Sequence, residues 1–173
     1  MAHGFSAIKE MHLDDYAQVF SAAGLCCVVY DNRGFGASDV APGRPRLEID
    51  PWEQVRDYQH AITYAQRRPD VDPSRIGVWG SSYSGAHAYV VAAIDRRVKA
   101  VCGQVPLISG RRAFEMLIRI DFWEPTWQAF AADRLARAQG AAPAMLPVVD
   151  TDPTAQSALP TADSYEFFSG YQG

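Results

Sequence analysis

The sequence predicts an α/β fold, a parallel sheet with crossover helices followed by a helical segment. Short apolar runs at residues 25–30, 75–79 and 99–105 alternate with stretches of helical periodicity. The first run, Leu-Cys-Cys-Val-Val-Tyr, is apolar throughout, as a strand covered on both faces should be. Strands separated by helices pair in parallel, because the crossover returns the chain to the same end of the sheet.

Each element has its own local reason. Residues 12–23 place Leu13, Tyr16, Ala17 and Phe20 on one helical face, and Gly24 follows where a left-handed residue stops a helix. After the first strand, residues 31–45 are rich in glycine and proline and read as loop. Asp50-Pro51-Trp52-Glu53 then opens a helix to about Arg67: Asp50 caps, Pro51 suits the first position and Glu53 completes a capping box. The strand at 75–79 leads to a helix at 84–94 and a third strand at 99–105. Beyond Pro106 the texture is helical and aromatic, with Pro125 expected to divide it in two. An Ala/Pro-rich connector follows, and Asp163 with Glu166 forms a second capping-box pattern near the end. Residues 1–106 and 107–173 thus form two regions, a strand-bearing core and a helical segment with its connector.

Composition excludes several classes. The 173 residues are 48% hydrophobic and 21% charged, which fits a globular chain rather than a disordered one. A net charge of -4, with only Arg111-Arg112 as a basic cluster, gives no footprint for a nucleic-acid partner. No apolar run approaches the length of a membrane span, and residues 1–10 lack a signal pattern. Cys26, Cys27 and Cys102 lie in apolar runs and read as reduced, buried small hydrophobes of a cytoplasmic protein. The histidines are scattered and Asp14-Asp15 reads as a solvated helix face, so no metal is expected.

The stretch Gly80-Ser81-Ser82-Tyr83-Ser84-Gly85 sits where a strand meets a helix. It fits the nucleophile-elbow pattern G-x-S-x-G with one change: Ser84 takes the second glycine's place and Gly85 follows. That position needs a small side chain because strand and helix approach closely. Ser82 is then the candidate nucleophile, held on unfavourable backbone angles. The Tyr83 N–H, at the helix start, faces a developing oxyanion. A second donor should come from a loop after an earlier strand. His3-Gly4-Phe5 is the candidate, with Phe5 N–H as donor and His3 holding the loop through backbone hydrogen bonds.

Together His-Gly-Phe, Asp31-x-Arg33-x-x-Gly36-x-Ser38 and Gly-Ser-Ser-Tyr-Ser-Gly, in this order, resemble the α/β-hydrolase superfamily. More narrowly, they resemble its dienelactone-hydrolase-like and polyketide-transferase-like branch. The resemblance covers roughly the first two-thirds of the chain. It implies a partial α/β-hydrolase fold, with residues 107–173 as a helical cap after the third strand. It also implies ester, thioester or related acyl chemistry on a small-molecule substrate, without a cofactor. Phe114, Trp123 and Trp127 are candidate acyl-pocket residues, though core packing would also account for them.

Other readings of the glycines are weaker. The run Gly34 to Asp39 begins like a dinucleotide fingerprint but lacks the third glycine, and Pro42 and Pro45 prevent the required helix. The run Gly80 to Gly85 has phosphate-loop spacing, but Ala86-His87 replaces the Lys-[Ser/Thr] pair. The plain structural alternative is a tight turn whose serines only cap a helix.

A serine hydroxyl needs a base. In the superfamily the triad runs Ser, acid, His, yet His87 alone lies after Ser82, and its own helix carries it down and away from the elbow tip. It is expected to pack among alanines and valines. His12 and His60 sit in helices unsuited to the role. Downstream acids are plentiful, but none ends a recognisable later strand. Met1-Ala2 is also all that precedes the His-Gly loop, where family members carry a central strand between the runs at 25–30 and 75–79. The sequence therefore reads as a middle piece of a longer hydrolase, inactive alone and prone to self-association through exposed sheet edges. The alternatives are a non-catalytic binding protein on the same fold, or a base supplied by another subunit.

Overall fold

The computed structural model describes residues 1–152 and 154–171. The chain divides into two compact units, Met1–Ile108 and Ser109–Gly173.

In the first unit, helix α1 spans Leu13–Ala22 and ends at Ala23, with Gly24 following at φ 87°. Helix α2, Pro51–Gln66, begins as read: Asp50 Oδ1 accepts the N–H groups of Trp52 at 3.0 Å and Glu53 at 3.2 Å. The reciprocal arm of the capping box is replaced, because the Glu53 carboxylate engages Arg33 and Arg56 instead. Strand β1 is Ile76–Ser81, helix α3 is Ser82–Ile94 and strand β2 is Val98–Gln104. The two strands pair in parallel, from Gly77 against Ala100 to Ser81 against Gln104, with α3 as the crossover. On the other side of β1, Ala2 makes an isolated parallel bridge with Gly80.

The core lies between α2, α3 and β1. Val55, Tyr58 and Ile62 of α2 pack with Ile76, Val78, Ala88 and Val91, all buried. Burying each large aliphatic side chain stabilises the fold by about 1.5–3 kcal/mol. Arg33 ties the loop before α2 to that helix, its guanidinium forking onto Asp57 beside Glu53.

The loop at residues 31–38 is knotted around one carboxylate. Asp31, its side chain 1% exposed, accepts the Lys9 N–H at 2.7 Å, the Lys9 ammonium at 2.6 Å and the Ala37 N–H at 3.0 Å. Burial pushes this carboxyl up; the Lys9 ammonium and the two N–H groups outweigh it and hold it below the usual carboxylate range. Gly36 sits against it at φ 47°, where a Cβ would overlap the Asp31 carboxylate.

The fold departs from the sequence reading at several points. Residues 25–30 form no strand among the described residues, so the sheet has two named strands rather than three. A strand needs a ladder partner. Among the described residues, the backbone hydrogen bond that reaches this segment from that side is the Met1 ammonium donating to Val28 O at 2.7 Å. The cysteines are unpaired, but Cys26 and Cys102 are exposed and Cys27 is half-buried, because β2 and the segment at 25–28 are covered on fewer sides than their apolar sequences require. Helix α3 begins at Ser82, two residues before the expected start.

The second unit contains α4 at Gly110–Leu117, a 3-10 turn at Ile120–Phe122, α5 at Trp123–Ala138 and α6 at Ala162–Ser169. The division falls at residues 118–122 and not at Pro125, which lies in the first turn of α5. Its missing N–H is harmless there, since the first four N–H groups of a helix have no intrahelical acceptor. Ile118 is extended, and its carbonyl accepts the Trp123 indole N–H at 2.8 Å. Helix α6 is capped by Thr161, whose Oγ1 accepts the Ser164 N–H, rather than by Asp163.

The Asp31 knot predicts a contrast between two left-handed glycines. Gly36→Ala forces a methyl into a buried, fully bonded carboxylate and should cost about 3 kcal/mol of stability. Gly43, at φ 79° with nothing within 4 Å of a Cβ, should lose only about 1 kcal/mol as Ala. Urea denaturation of both variants checks this, and equal losses would refute the role given to the knot.

Candidate functional site

The chain turns from strand to helix within one residue. Ser81 is extended at φ -101°, ψ 144°, and Ser82 has φ 49°, in the left-handed region that non-glycine residues seldom occupy. Such a residue costs about 1–3 kcal/mol and persists where its surroundings over-determine it. They do so here. A Cβ on Gly80 would overlap the Ser84 carbonyl and meet the Tyr58 hydroxyl at 2.6 Å. A Cβ on Gly85 would lie 3.1 Å from Gly80 O and from Pro106 Cα. Strand and helix backbones are therefore in contact at these two positions. Between them Ser84 is fully buried, its Oγ accepting the Asn32 amide at 3.3 Å. The Ser82 carbonyl is fixed from the far side by the Leu107 N–H at 2.9 Å.

Tyr58 completes the clamp. Its ring is 1% exposed, and its hydroxyl lies 3.0 Å from Trp79 O and 3.3 Å from Ser84 O, one proton serving a strand carbonyl and a helix carbonyl. Burial pushes the phenol well above its ordinary range, so it stays a donor at any physiological pH.

The His3-Gly4-Phe5 loop is packed directly on the turn. A Cβ on Gly4 would stand 3.2 Å from Ser82 Cβ and 3.7 Å from Ser82 Oγ. His3 Nδ1 is 3.0 Å from Gly4 O, and His3 Nε2 accepts the Asn32 N–H at 3.3 Å, which places the ring proton on Nδ1. Burial lowers the His3 pKa and keeps the ring neutral in that tautomer. The Gly4–Phe5 peptide bond is trans, as are the others among the described residues, so the Phe5 N–H points opposite to the Gly4 carbonyl that His3 holds. The Tyr83 N–H belongs to the first turn of α3, where N–H groups have no intrahelical acceptor. The Phe5 and Tyr83 rings meet edge-on at 5.6 Å, which binds loop to helix.

The other histidines are placed apart from this arrangement. His12 precedes α1 with its ring 2.8 Å from Asp15, and His60 is exposed on α2. His87 is 4% exposed and packs edge-on against the Tyr83 ring at 4.6 Å rather than only among aliphatic side chains. Neither ring nitrogen of His87 has a hydrogen-bond partner among the described residues. Phe114, Trp123 and Trp127 form their own cluster in the second unit, with Phe114 4.8 Å from Trp127 and 6.1 Å from Trp123. Among the described residues no three His, Cys, Asp or Glu side chains are grouped to hold a metal, and no helix is long and apolar enough to cross a membrane.

Sequence reasoning did not find Tyr58 or Asn32 as parts of the site, and it met Asp31 only as the first residue of the Asp31-x-Arg33-x-x-Gly36-x-Ser38 segment. Tyr58 had one available signal, its helical spacing with Val55 and Ile62. Asn32 had none, because its role arises from a contact across 52 residues.

Comparison with known proteins places this geometry in a family. The model of the alpha/beta hydrolase family matches residues 1–171. A thiohydrolase, aneE, from Aspergillus aculeatus is 36% identical over 152 residues, 87% of this chain and 46% of that protein. A quorum-quenching protein, AidA, from Acinetobacter baumannii is 34% identical over 171 residues, 99% of this chain and 54% of that protein. The crystal structure of the alpha/beta hydrolase GrgF from Penicillium sp. superposes with a TM-score of 0.74 at 30% identity, covering 98% of this chain and 55% of that one. The chain thus spans about half the length of the relatives it matches.

His87 predicts a pH dependence. Burial lowers its pKa from 6.5 to about 4, so between these values the unfolded chain binds a proton that the folded chain refuses. Stability is full above about pH 6.5 and falls as pH drops towards 4, by about 3 kcal/mol for this group. His3 and the buried Met1 amine shift in the same direction, so His87→Leu should flatten the curve without levelling it. Urea denaturation of both chains at pH 7 and pH 4.5 measures the difference; parallel curves would refute it.

Proposed function

Because the chain belongs to the alpha/beta hydrolase family, we propose that it carries the nucleophile of a serine hydrolase or acyl transferase acting on small-molecule esters or thioesters. The observation that carries this reading is the positive φ of Ser82 at a strand-to-helix turn, with Gly4 packed against its side chain. Ser82 Oγ attacks the acyl carbonyl carbon, and the carbonyl electron pair moves onto oxygen. The Phe5 and Tyr83 N–H groups stabilise that oxyanion, aided by the positive end of α3. Collapse expels the alcohol or thiol, and water or another acceptor then releases the acyl group. Gly80, Ser84 and Gly85 hold the turn, while His3 and Gly4 hold the loop. Relatives named thiohydrolase and polyketide transferase support thioester and ester substrates and leave the acceptor to either class. Phe114, Trp123 and Trp127 are proposed to bind the acyl chain, and the unpaired cysteines favour a reducing, cytoplasmic setting. No step calls for a cofactor.

The proton of Ser82 needs an acceptor. Both nitrogens of His3 are engaged, and among the described residues no carboxylate orients His87. Residues 1–173 alone should therefore hydrolyse p-nitrophenyl acetate negligibly, and Ser82→Ala should change that little, because an unactivated serine adds almost nothing. Robust turnover abolished by the substitution would show that the chain holds its own base. In a product of the same gene that also supplies an acid and a histidine, a fluorophosphonate probe should label Ser82. Labelling that survives Ser82→Ala there would sink the assignment. The unpartnered state of His87 favours a second reading, a binding protein that keeps the fold without turnover. The absence of labelling in that product would establish it.

A further inference from the structure

Val105, the residue after β2, has φ 40° and a side chain that stands 74% exposed. Among the described residues five non-glycine residues have positive φ, and of these Val105 is the one branched at Cβ, which makes the left-handed region costliest for it. The proline that follows adds to the cost, since it pushes its predecessor towards extended backbone. Burial of the valine does not offset this strain, so the neighbours on either side must impose it. Ahead of it, Gln104 Oε1 accepts the Ser81 hydroxyl at 2.6 Å, and Gln104 Nε2 donates to the Tyr16 hydroxyl at 2.8 Å. Behind it, Pro106 stands against the Gly85 backbone, and the Leu107 N–H donates to Ser82 O at 2.9 Å. Both flanks are fastened to the elbow, and Val105 takes the bend that joins them. Glycine or asparagine would make this bend with less strain. The valine is accounted for if its side chain serves the site.

We propose that Val105 is a specificity-determining residue of the Ser82 site, a stiff apolar wall against the carbon next to the acyl carbonyl. The inference rests on the assignment of Ser82 as nucleophile. The place of Val105 follows from register: Ser81 pairs with Gln104, so Ser82 and Val105 leave the sheet side by side, on strands about 4.8 Å apart. The loop carrying Phe5 lies on the other flank of β1, where Ala2 bridges Gly80. A carbonyl oxygen directed at the Phe5 and Tyr83 N–H groups turns the other two substituents of its carbon away from that loop, towards the end of β2. One of them, the leaving group, departs. The acyl group stays, bonded through its carbonyl carbon to Ser82 Oγ, until water or another acceptor releases it. Its α carbon is then two bonds from Oγ and level with Val105, whereas the far end of the chain is not. The valine side chain offers no hydrogen bond, and its β-branch restricts χ1. It therefore sorts acyl groups by bulk at the α carbon: straight chains pass, and chains branched there meet the valine methyl groups.

The test uses a product of the gene that also supplies an acid and a histidine. It compares p-nitrophenyl butyrate with p-nitrophenyl isobutyrate, which share a leaving group and a carbon count and differ in branching. Val105→Gly should raise the isobutyrate-to-butyrate ratio of kcat/KM about tenfold, and Val105→Leu, larger and less strained, should lower it. Equal ratios in the three forms, with turnover that Ser82→Ala abolishes, would overturn the proposal and leave the nucleophile assignment standing. Absence of turnover, or turnover that survives Ser82→Ala, would overturn both. A second measurement, on chain 1–173, reads the strain without any activity. Val105→Asn should raise the thermal midpoint by about 2 °C or more, because asparagine tolerates the left-handed region. A midpoint at or below that of the parent would show that no strain holds the valine in place, and would overturn the proposal.

Discussion

Everything at the candidate site depends on the contact between two stretches of backbone at Gly80 and Gly85. β1 must deliver the chain to α3 in one step, and this is possible only where neither backbone carries a side chain at the point of contact. The Tyr58 hydroxyl then bridges a carbonyl of each element. With the elements held that close, Ser82 has no relaxed conformation available, and its φ of 49° is the consequence. The strain cost is small beside the burial of Tyr58, Val78 and Val91 in the same core.

A second layer of bonds brings the loop to the turn. His3 fixes the Gly4 carbonyl, Asn32 joins His3 to Ser84, and Asp31 anchors Lys9 at the loop's far end. These bonds set the direction of one peptide plane, and with it the Phe5 N–H. The neutral state of His3 matters to this. Protonation of Nε2 would remove the acceptor that holds the Asn32 N–H.

The sequence was most informative where local chemistry decides structure. The cap at Asp50, the stop at Gly24, the α3 crossover and the elbow glycines all follow from dihedral preference or steric need within a few residues. It misled where an element depends on a partner elsewhere in the chain. Residues 25–30 have every local property of a buried strand, yet ladder hydrogen bonds decide the matter. Cys26 and Cys102 were misjudged for the same reason, since an apolar neighbourhood in sequence does not guarantee cover in space. Pro125 misled differently: its position relative to the helix start mattered more than its identity. Tyr58 and Asn32 act through contacts spanning more than 20 residues, which no local pattern encodes.

The central claim is that backbone contact at Gly80 sets the turn that presents Ser82. It is tested most directly by comparing Gly80→Ala with Gly77→Ala in the same strand. A Cβ at Gly77 would find its nearest atom at 3.5 Å, an ordinary contact, whereas one at Gly80 would collide with the Ser84 carbonyl and the Tyr58 hydroxyl. Chemical denaturation should show Gly77→Ala within about 1 kcal/mol of the parent and Gly80→Ala destabilised by at least about 3 kcal/mol. Equal stability of the two variants would contradict the account.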